Sequence, residues 1–358
     1  MEYDVAIIGL GPAGATAARL LSPKLRVIAI DKKAAWDETA FTKPCGGLLA
    51  PDAQKALSKF NLTLPKDVLV DPQIFAVRTV DLENDLLRCY QRFYMNLDRR
   101  KFDEWLISLI PPNVEIAAGC RCADIRRIDG GFEVAYSDGA AARTVTAKRV
   151  IGADGSDSSV RRALFPDREI RRLTAIQQWF TEEHATPFYS CVFDSEITPS
   201  YCWSISKDGF FILGGAFPIE DSRARFERLK SKLAQRGFIF GEPAKTEACL
   251  VSIPRGWRDF CAGTDGAFLI GEAAGFISPS SLEGISYALD SAHAVVRAIN
   301  GGGDANRAYA RLSAPIRRKL MMKHVKSQFM YRPFLRKLVM KSGLDSVEVE
   351  EQVTSDAF

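Results

Sequence analysis

The chain has 358 residues, of which 47% are apolar and 26% are charged, with a formal net charge of +4. This is the composition of an ordinary soluble protein, and the length allows two closely packed lobes with sizeable cores. No stretch approaches the ~18 uninterrupted apolar residues of a membrane span, and no basic leader precedes the first strand, which excludes secreted and membrane-spanning proteins and predicts a cytoplasmic one.

The first predicted element is a strand that ends in a glycine-rich turn. Residues 3–8 form an apolar run that leads into Gly9-Leu10-Gly11-Pro12-Ala13-Gly14 and a helix-forming stretch. A second apolar strand ends at Asp31, 22 residues beyond the first glycine. These glycines allow a tight turn, close approach of a pyrophosphate to the helix N-terminus, and close packing of helix and strand. Since the acid can accept a hydrogen bond from a ribose hydroxyl, this region predicts a dinucleotide site.

A second glycine-rich loop follows, with the sequence Lys43-Pro44-Cys45-Gly46-Gly47. Glycines beside a cysteine in this position indicate that the backbone approaches a ligand closely. A helix is predicted near residues 52–60. Asp98 is the predicted N-cap of another helix over 99–109, which ends before Pro111-Pro112.

Two further turns repeat the pattern of a strand that ends in small residues. One is Gly152-Ala153-Asp154-Gly155, and the other is Gly271-Glu272-Ala273-Ala274-Gly275, which precedes a helix predicted over 284–299. Between them, residues 174–255 contain runs of strand-forming residues separated by turns, which predict an inserted, mainly β lobe. Three such turns along one chain favour a long cofactor, so FAD fits better than NAD. The N-terminus of the last helix can then point at the flavin ring and stabilise its negative charge when reduced.

The C-terminal segment is strongly basic. Between Ala305 and Leu344 there are eleven Lys or Arg and no acid, whereas residues 345–358 contain five acids and no Lys or Arg. Apolar residues are mixed with the cations, which suits an anionic membrane surface or a lipid phosphate. The alternative is a helical pair packed across the fold with a solvated basic face. No nucleic-acid module accompanies the charge, so we expect no nucleic-acid partner.

The cysteines and histidines do not form a pattern typical of a metal site. The eight cysteines are scattered, with no C-x-x-C pair, and His184, His293 and His324 show no ligand-like spacing. We therefore expect neither a bound metal nor a disulfide framework.

Together these motifs, with Arg99-x-x-Phe102-Asp103, resemble the geranylgeranyl-reductase family of flavoproteins, within the para-hydroxybenzoate-hydroxylase fold. Within this family the chain is most similar to proteins linked to colicin M resistance, over almost its whole length. The resemblance implies an α/β fold with a Rossmann-like FAD-binding domain, an inserted mainly β substrate domain and a C-terminal helical segment. We place the FAD-binding domain at 1–72, 97–173 and 258–303, the substrate domain at 73–96 and 174–257, the basic helical segment at 304–344 and an acidic tail at 345–358.

The resemblance also implies roles for individual residues. In the family, the first glycine loop and the acid at Asp31 hold the ADP half, Arg99 lies near the diphosphate, and the last turn meets the ribityl chain and diphosphate. The loop with Cys45 lies by the isoalloxazine ring. The full set of implied cofactor contacts is Gly9, Gly11, Pro12, Ala13, Gly14, Asp31, Lys32, Cys45, Gly46, Arg99, Cys122, Asp154, Gly155, Glu272, Gly275, Gly284 and Ile285.

Three residues are candidates for contact with the substrate. Cys45 is expected to shape or protonate the substrate face of the ring; the alternative is a structural loop thiol. Tyr201 and Trp203 alternate on a predicted strand and share one face, where they can line an apolar tunnel, unless they are core residues.

The chain departs from the family pattern in two places. Glu272 stands where the family commonly has Asp, which lengthens the side chain by one methylene. The family segment Tyr-x-Trp-x-Phe-Pro is Tyr201-Cys202-Trp203-Ser204-Ile205-Ser206 here, so its aromatic residues are kept and its last two positions are not. This second change bears on the identity of the substrate.

The resemblance implies an FAD-dependent oxidoreductase that reduces C=C bonds of isoprenoid lipids or polyprenyl phosphates at the inner face of the cytoplasmic membrane. One alternative is an FAD-dependent monooxygenase of an aromatic or lipophilic substrate, because one fold hosts many reactions. Another is a flavoprotein that binds a lipid carrier without catalysis. There is no second GxGxxG for a tightly bound nicotinamide, so NAD(P)H as a transient donor, a ferredoxin or a flavodoxin can supply electrons.

Overall fold

The structure is a computed structural model that describes residues 2–33, 43–182 and 188–348. His184 and the acidic tail from residue 349 onward lie outside the described residues. The strands, in chain order, are β1 (Glu2–Ile8), β2 (Val27–Asp31), β3 (Leu48–Leu49), β4 (Ile74–Asp81), β5 (Leu86–Asn96), β6 (Val114–Ala118), β7 (Arg121–Ile128), β8 (Gly131–Ser137), β9 (Ala142–Gly152), β10 (Arg172–Thr181), β11 (Phe188–Phe193), β12 (Cys202–Lys207), β13 (Phe210–Phe217), β14 (Lys245–Ser252), β15 (Ala267–Leu269) and β16 (Ser346–Val347). The α-helices are α1 (Pro12–Leu20), α2 (Pro51–Lys59), α3 (Arg99–Ser108), α4 (Ser159–Leu164), α5 (Ser222–Ala234), α6 (Ile285–Asn300), α7 (Ala305–Leu312), α8 (Ala314–Tyr331) and α9 (Pro333–Ser342). Short 3₁₀ turns cover Lys66–Val68, Trp257–Asp259 and Gly271–Ala274.

The first sheet has the order β6-β2-β1-β9-β8-β7, and β15 pairs with the end of β9. Strands β6, β2, β1, β9 and β15 are parallel, so their carboxyl ends lie at one edge of the sheet. β1 and β2 are apolar and almost fully buried, as expected for strands covered on both faces. Helices α1, α6 and α7 share a core with this sheet. The three predicted turns follow β1, β9 and β15 and therefore meet at the same edge.

The second sheet has the order β14-β10-β13-β12-β11-β4-β5-β16, and β3 pairs with β5. Its strands come from two separate stretches, 74–96 and 172–252, and from the C-terminal 346–347. Alternate side chains of each strand point to opposite faces. One face packs on α5 through Phe217 and Phe226, and the other carries Tyr189, Tyr201 and Trp203.

The C-terminal segment forms three helices, and not the helical pair considered from the sequence. The additional boundary lies at Ser313, where α7 ends, because Pro315 suits the first turn of a new helix. α7 is joined to the first sheet by Tyr309, whose hydroxyl donates to the carbonyl oxygen of Leu269 at 2.8 Å. Within the described residues, none of the helices combines the length and the apolar content that crossing a bilayer requires.

Candidate functional site

The turn after β1 is shaped by two close backbone contacts. Gly9 has φ +96°, and a Cβ there would lie 2.7 Å from the carbonyl oxygen of Ala153 in the second turn. A Cβ on Gly14 would overlap the carbonyl oxygen of Gly9. By contrast, a Cβ on Gly11 would meet no atom within 4 Å. The first and third glycines therefore hold the turn together, and the middle glycine borders open space at the N-terminus of α1.

Asp31 ties the end of β2 to this turn. Its carboxylate accepts hydrogen bonds from the Leu10 N–H and, at 2.7 Å, from the Lys33 N–H. The side chain is buried, yet the residue lines the open space beside Gly11 together with Lys32. Asp31 thus stabilises the turn and borders the open space, and its contact with a ribose stays a prediction.

Asp103 anchors two cations beside the first turn. It accepts from Arg99 Nε at 2.8 Å and from Lys33 Nζ at 2.9 Å, and it is buried. Burial alone would raise the pKa of Asp103, but the charges of Arg99 and Lys33 outweigh it and lower this pKa. No motif in the sequence indicates a role for Lys33 or for the Asp103 carboxylate. The i, i+4 spacing of Arg99 and Asp103 on a predicted helix was a usable indication of the first contact.

The second turn is fastened to α4. The Asp154 carboxylate accepts from the Ser158 hydroxyl at 2.5 Å, from the Ser159 N–H at 2.6 Å and from the Ser159 hydroxyl at 2.8 Å. Burial still raises the pKa of Asp154 above its usual value. Asp154 and Gly155 line the cavity next to Cys122 of β7, where burial, followed by the charge of Asp154, raises the pKa of the thiol to about 12. Asp154 therefore fixes the second turn to α4, and the Cys122 thiol borders the cavity beside it.

The third turn is joined to the cysteine loop by an ion pair. Glu272 accepts from Lys43 Nζ, and it also accepts from the Ser252 N–H at 2.8 Å. Burial alone would lower the pKa of Lys43, but the attraction of Glu272 raises it. The acid at this position thus holds the loop and β14 against the third turn.

The cysteine loop rests on Lys207 of β12. Lys207 Nζ donates to the carbonyl oxygens of Gly46 at 2.9 Å and Leu97 at 2.6 Å. Burial lowers the pKa of this lysine to about 8. Cys45 is partly exposed, and its Sγ accepts from the Gly47 N–H at 3.4 Å. Sequence reasoning missed Lys207, since a lone lysine on a strand has no distinguishing pattern.

The N-terminus of α6 carries a partly buried carboxyl group. Glu283 accepts from the Ser286 N–H at 2.8 Å and from its hydroxyl at 2.7 Å. Burial raises the pKa of Glu283. Glu283, Gly284 and Ile285 all line the cavity, as the prediction for this helix start requires.

The aromatic side chains of the second sheet form the apolar half of the site. Tyr201 and Trp203 lie with their ring centres 5.9 Å apart. The Tyr201 hydroxyl donates to the carbonyl oxygen of Ser281 at 2.7 Å and accepts from the Tyr189 hydroxyl at 3.1 Å. Trp203 Nε1 is buried without an acceptor among the described residues. A buried N–H on a cavity wall can donate a hydrogen bond to an acceptor atom of a bound ligand.

The three turns, the cysteine loop, the start of α6 and the aromatic side chains border one cavity of about 1740 Å³, and Lys207 supports the loop from outside the lining. Single-ligand pockets usually have about 300–1,000 Å³, so this cavity has room for more than one ligand. Every predicted cofactor and substrate residue lines it except two. Gly14 packs against Gly9, and Gly275 forms the left-handed end of the third turn with φ +82°. Both therefore act on the shape of a turn and not as lining residues.

Known proteins resemble the chain at two levels. No protein-family model matches it. Proteins named CbrA do: one from Escherichia coli O9:H4 (strain HS) is 52% identical over 345 residues, covering 96% of this chain and 94% of its own. Another, from Shigella sonnei (strain Ss046), is 52% identical over 345 residues, covering 96% of this chain and 97% of its own.

Among solved structures, a geranylgeranyl bacteriochlorophyll reductase-like protein from Thermoplasma acidophilum has a TM-score of 0.78 at 20% identity, covering 94% of this chain and 90% of its own. pqsL, a probable FAD-dependent monooxygenase from Pseudomonas aeruginosa, has a TM-score of 0.71 at 17% identity, covering 96% of this chain and 100% of its own. At these identities the likeness concerns the fold. The predicted fold class, a Rossmann-like α/β fold of the para-hydroxybenzoate-hydroxylase type with a β lobe and a helical C-terminus, is confirmed.

Proposed function

We propose a function for this chain from one established premise: it belongs to the CbrA family. The proposed function is an FAD-dependent oxidoreductase that reduces C=C bonds of isoprenoid lipids, polyprenyl phosphates among them. One observation carries the proposal: a single cavity joins the three nucleotide-type turns to an apolar pocket with aromatic walls. The fold shared with the geranylgeranyl reductase-like protein supports it.

The described residues fit FAD in the nucleotide half of the cavity. Gly11 leaves the N-terminus of α1 accessible to a diphosphate, and Asp31 lies at the end of β2 for a ribose. Arg99, held by Asp103, adds a fixed positive charge beside them. When bound and reduced, FAD supplies a hydride for transfer to carbon.

The apolar half fits a lipid chain. An isolated alkene is unactivated, so the walls must hold it tightly in one orientation. Tyr201 is fixed by its hydrogen bonds to Ser281 and Tyr189, and Trp203 packs beside it. These fixed walls exclude water and orient the chain.

Reduction of an alkene also requires a proton, and two side chains of the cavity can hold one. Cys45 lies in the loop at the junction of the two halves and is our first candidate. Glu283 is the second, because it lines the cavity and burial raises the pKa of its carboxyl group.

A second candidate function is an FAD-dependent monooxygenase, which the fold shared with pqsL favours. The two reactions differ in the need for oxygen. A protein that binds the lipid without changing it is the third outcome. For the electrons, we propose NAD(P)H as a transient donor, or a ferredoxin or flavodoxin.

The test is mass spectrometry of a long-chain polyprenyl phosphate incubated with the FAD-loaded, reduced protein, once without oxygen and once in air. The proposal predicts addition of hydrogen pairs without oxygen, and loss of this product in Cys45→Ala with FAD still bound. Cys261→Ala, at a buried thiol of the first core that does not line the cavity, is the control and should leave the product unchanged. Oxygen added only in air would instead identify a monooxygenase, and an unchanged lipid would contradict reduction.

A further inference from the structure

The mouth of the cavity is bordered by the C-terminal helices. Met322, Val325 and Phe329 of α8, Val339 of α9 and Leu344 beyond it all line the cavity. The same five residues are 48–75% exposed. Side chains that line a cavity and also face solvent mark its opening. The apolar interior therefore continues onto the outer surface at α8 and α9.

Exposed apolar side chains are concentrated at this opening. Of the sixteen exposed large apolar residues in the described part of the chain, eight lie between Met322 and Val347. Met322, Val325 and Phe329 have helical spacing and form one stripe along α8. Ile316 and Leu320 are buried on the opposite side of the helix. A surface helix normally has one apolar stripe, so a second one indicates a partner on the outside.

The surface around the opening is positively charged. We call α8, α9 and Leu344 the C-terminal face. Among the described residues, carboxylates pair with three cations of this face: Asp52 with Lys319 and Lys323, and Asp81 and Glu83 with Arg336. Further exposed cations on the face are Arg318, Lys326, Arg332 and Lys341.

Lys326 stands at the mouth itself, beside Arg92 of β5 and Lys323, and all three line the cavity. Lys326 is exposed at its surface side, but partial desolvation at the mouth, followed by repulsion from Arg92 and Lys323, lowers its pKa. An anionic group bound at the mouth would offset the repulsion among these three cations.

We propose that the C-terminal face docks on an anionic lipid bilayer. The stripe of α8 and the exposed side chains of α9 enter the boundary between headgroups and acyl chains, and the cations contact the anionic headgroups. The mouth of the cavity then faces the bilayer, and an isoprenoid chain enters without crossing water. Docking itself does not depend on the reaction, whereas delivery of the lipid rests on the proposed function.

A second copy of the chain is a weaker candidate for this surface. A symmetric dimer through the C-terminal face would bring the same cations of both copies together, which is unfavourable. It would also close the mouth of the cavity. An anionic bilayer satisfies both the apolar stripe and the charge.

The test is co-sedimentation of the full chain with phosphatidylcholine vesicles that contain or lack phosphatidylglycerol, at low and high salt. One variant removes the stripe: Met322→Ser, Val325→Ser and Phe329→Ser combined. A second reverses charge: Lys326→Glu with Lys341→Glu. The controls are Ile239→Ser, at a 91% exposed residue away from the face, and Arg223→Glu with Arg228→Glu, two exposed cations of α5.

We expect binding of the unchanged chain to phosphatidylglycerol vesicles only, weakened by salt, and about tenfold or more loss in each C-terminal variant. Both controls should bind like the unchanged chain. Absence of binding to anionic vesicles, or equal loss in the controls, would overturn the proposal. A dimer in size-exclusion chromatography that the stripe variant converts to a monomer would assign the face to a second copy instead. Binding to vesicles without lipid reduction would leave the docking intact and contradict only the proposed function.

Discussion

At the scale of single residues, the site depends on buried charges that are held by specific partners. Asp103 holds Arg99 and Lys33, Glu272 holds Lys43, and Lys207 holds the backbone of the cysteine loop. Removal of one partner of a buried pair leaves an uncompensated charge, which costs far more than the loss of an exposed pair. Two predictions follow from this difference.

The first concerns Asp103. Asp103→Asn leaves Arg99 and Lys33 without their carboxylate, so we expect a loss of about 3–5 kcal/mol in the free energy of unfolding. Glu104→Gln breaks the more exposed Arg100–Glu104 pair, which has the same spacing on the same helix. That control should cost no more than about 1 kcal/mol. Urea denaturation of both variants checks this, and equal losses would contradict the role assigned to Asp103.

The second concerns Lys207. Its pKa is lowered to about 8 in the folded chain, against about 10.4 when unfolded. Between these values the unfolded chain holds more protons, so the stability of the folded state rises with pH. The free energy of unfolding, relative to Lys207→Met, should therefore rise by on the order of 3 kcal/mol between pH 8 and 10.5.

The control for this rise is Lys148→Met. Lys148 is exposed and pairs with Asp4, which raises the pKa of the lysine, so its contribution is lost as pH rises. The measurement is the free energy of unfolding as a function of pH. If the curves of Lys207→Met and of the unchanged chain run parallel, Lys207 does not have the lowered pKa that this prediction requires.

At the scale of elements, the turn between β1 and α1 separates the roles of its glycines. In Gly14→Ala the new Cβ overlaps the Gly9 carbonyl oxygen, so the turn must open. We expect about 1–3 kcal/mol loss of stability and loss of FAD binding. In Gly11→Ala the Cβ enters open space, so stability should change by less than about 1 kcal/mol while FAD affinity falls about tenfold or more. Thermal melts and flavin titrations of both variants check this; similar losses of stability would contradict the assignment.

The elements themselves were largely predictable, because their determinants are local. Asp98 caps α3 as predicted, accepting from the N–H groups of Arg100 and Lys101. The glycine turns occur where small residues follow apolar strands. The bounds proposed for the domains stay a prediction.

The contacts between elements were not predictable in the same way. Lys33 and Asp103 are 70 residues apart, Gly46 and Lys207 are 161 apart, and Lys43 and Glu272 are 229 apart. Gly46, Asp103 and Glu272 belong to motifs that the sequence shows, but nothing local identifies the lysine that each of them contacts. The partners meet only in the folded chain, where α3, β12 and the third turn lie against β2 and the cysteine loop.

At the scale of the whole molecule, α9 links the C-terminal face to the second sheet. Arg336 donates to Asp81 from Nε at 2.7 Å and Nη2 at 3.0 Å, and to Glu83 at 2.7 Å. Burial alone would raise the pKa of Asp81, but the hydrogen bonds from Arg336 and Asn84 lower it. One buried pair thus fixes the helix that borders the cavity mouth.

Arg336→Met should therefore release α9. We expect a loss of about 3–5 kcal/mol in stability and faster hydrogen exchange in α9 and β4, since Asp81 loses its partner. Arg332→Met, at an exposed cation just before α9, is the control and should leave exchange unchanged. Unchanged exchange in Arg336→Met would show that α9 is held by other contacts.

The central claim is that one cavity brings a reduced flavin and an isoprenoid chain together. The most direct test is the absorbance of the FAD-loaded, reduced protein after anaerobic addition of a polyprenyl phosphate. The account predicts that flavin absorbance returns without oxygen, with one hydrogen pair found in the lipid for each flavin oxidised. A flavin that stays reduced with the lipid and is oxidised only when air is admitted would contradict it.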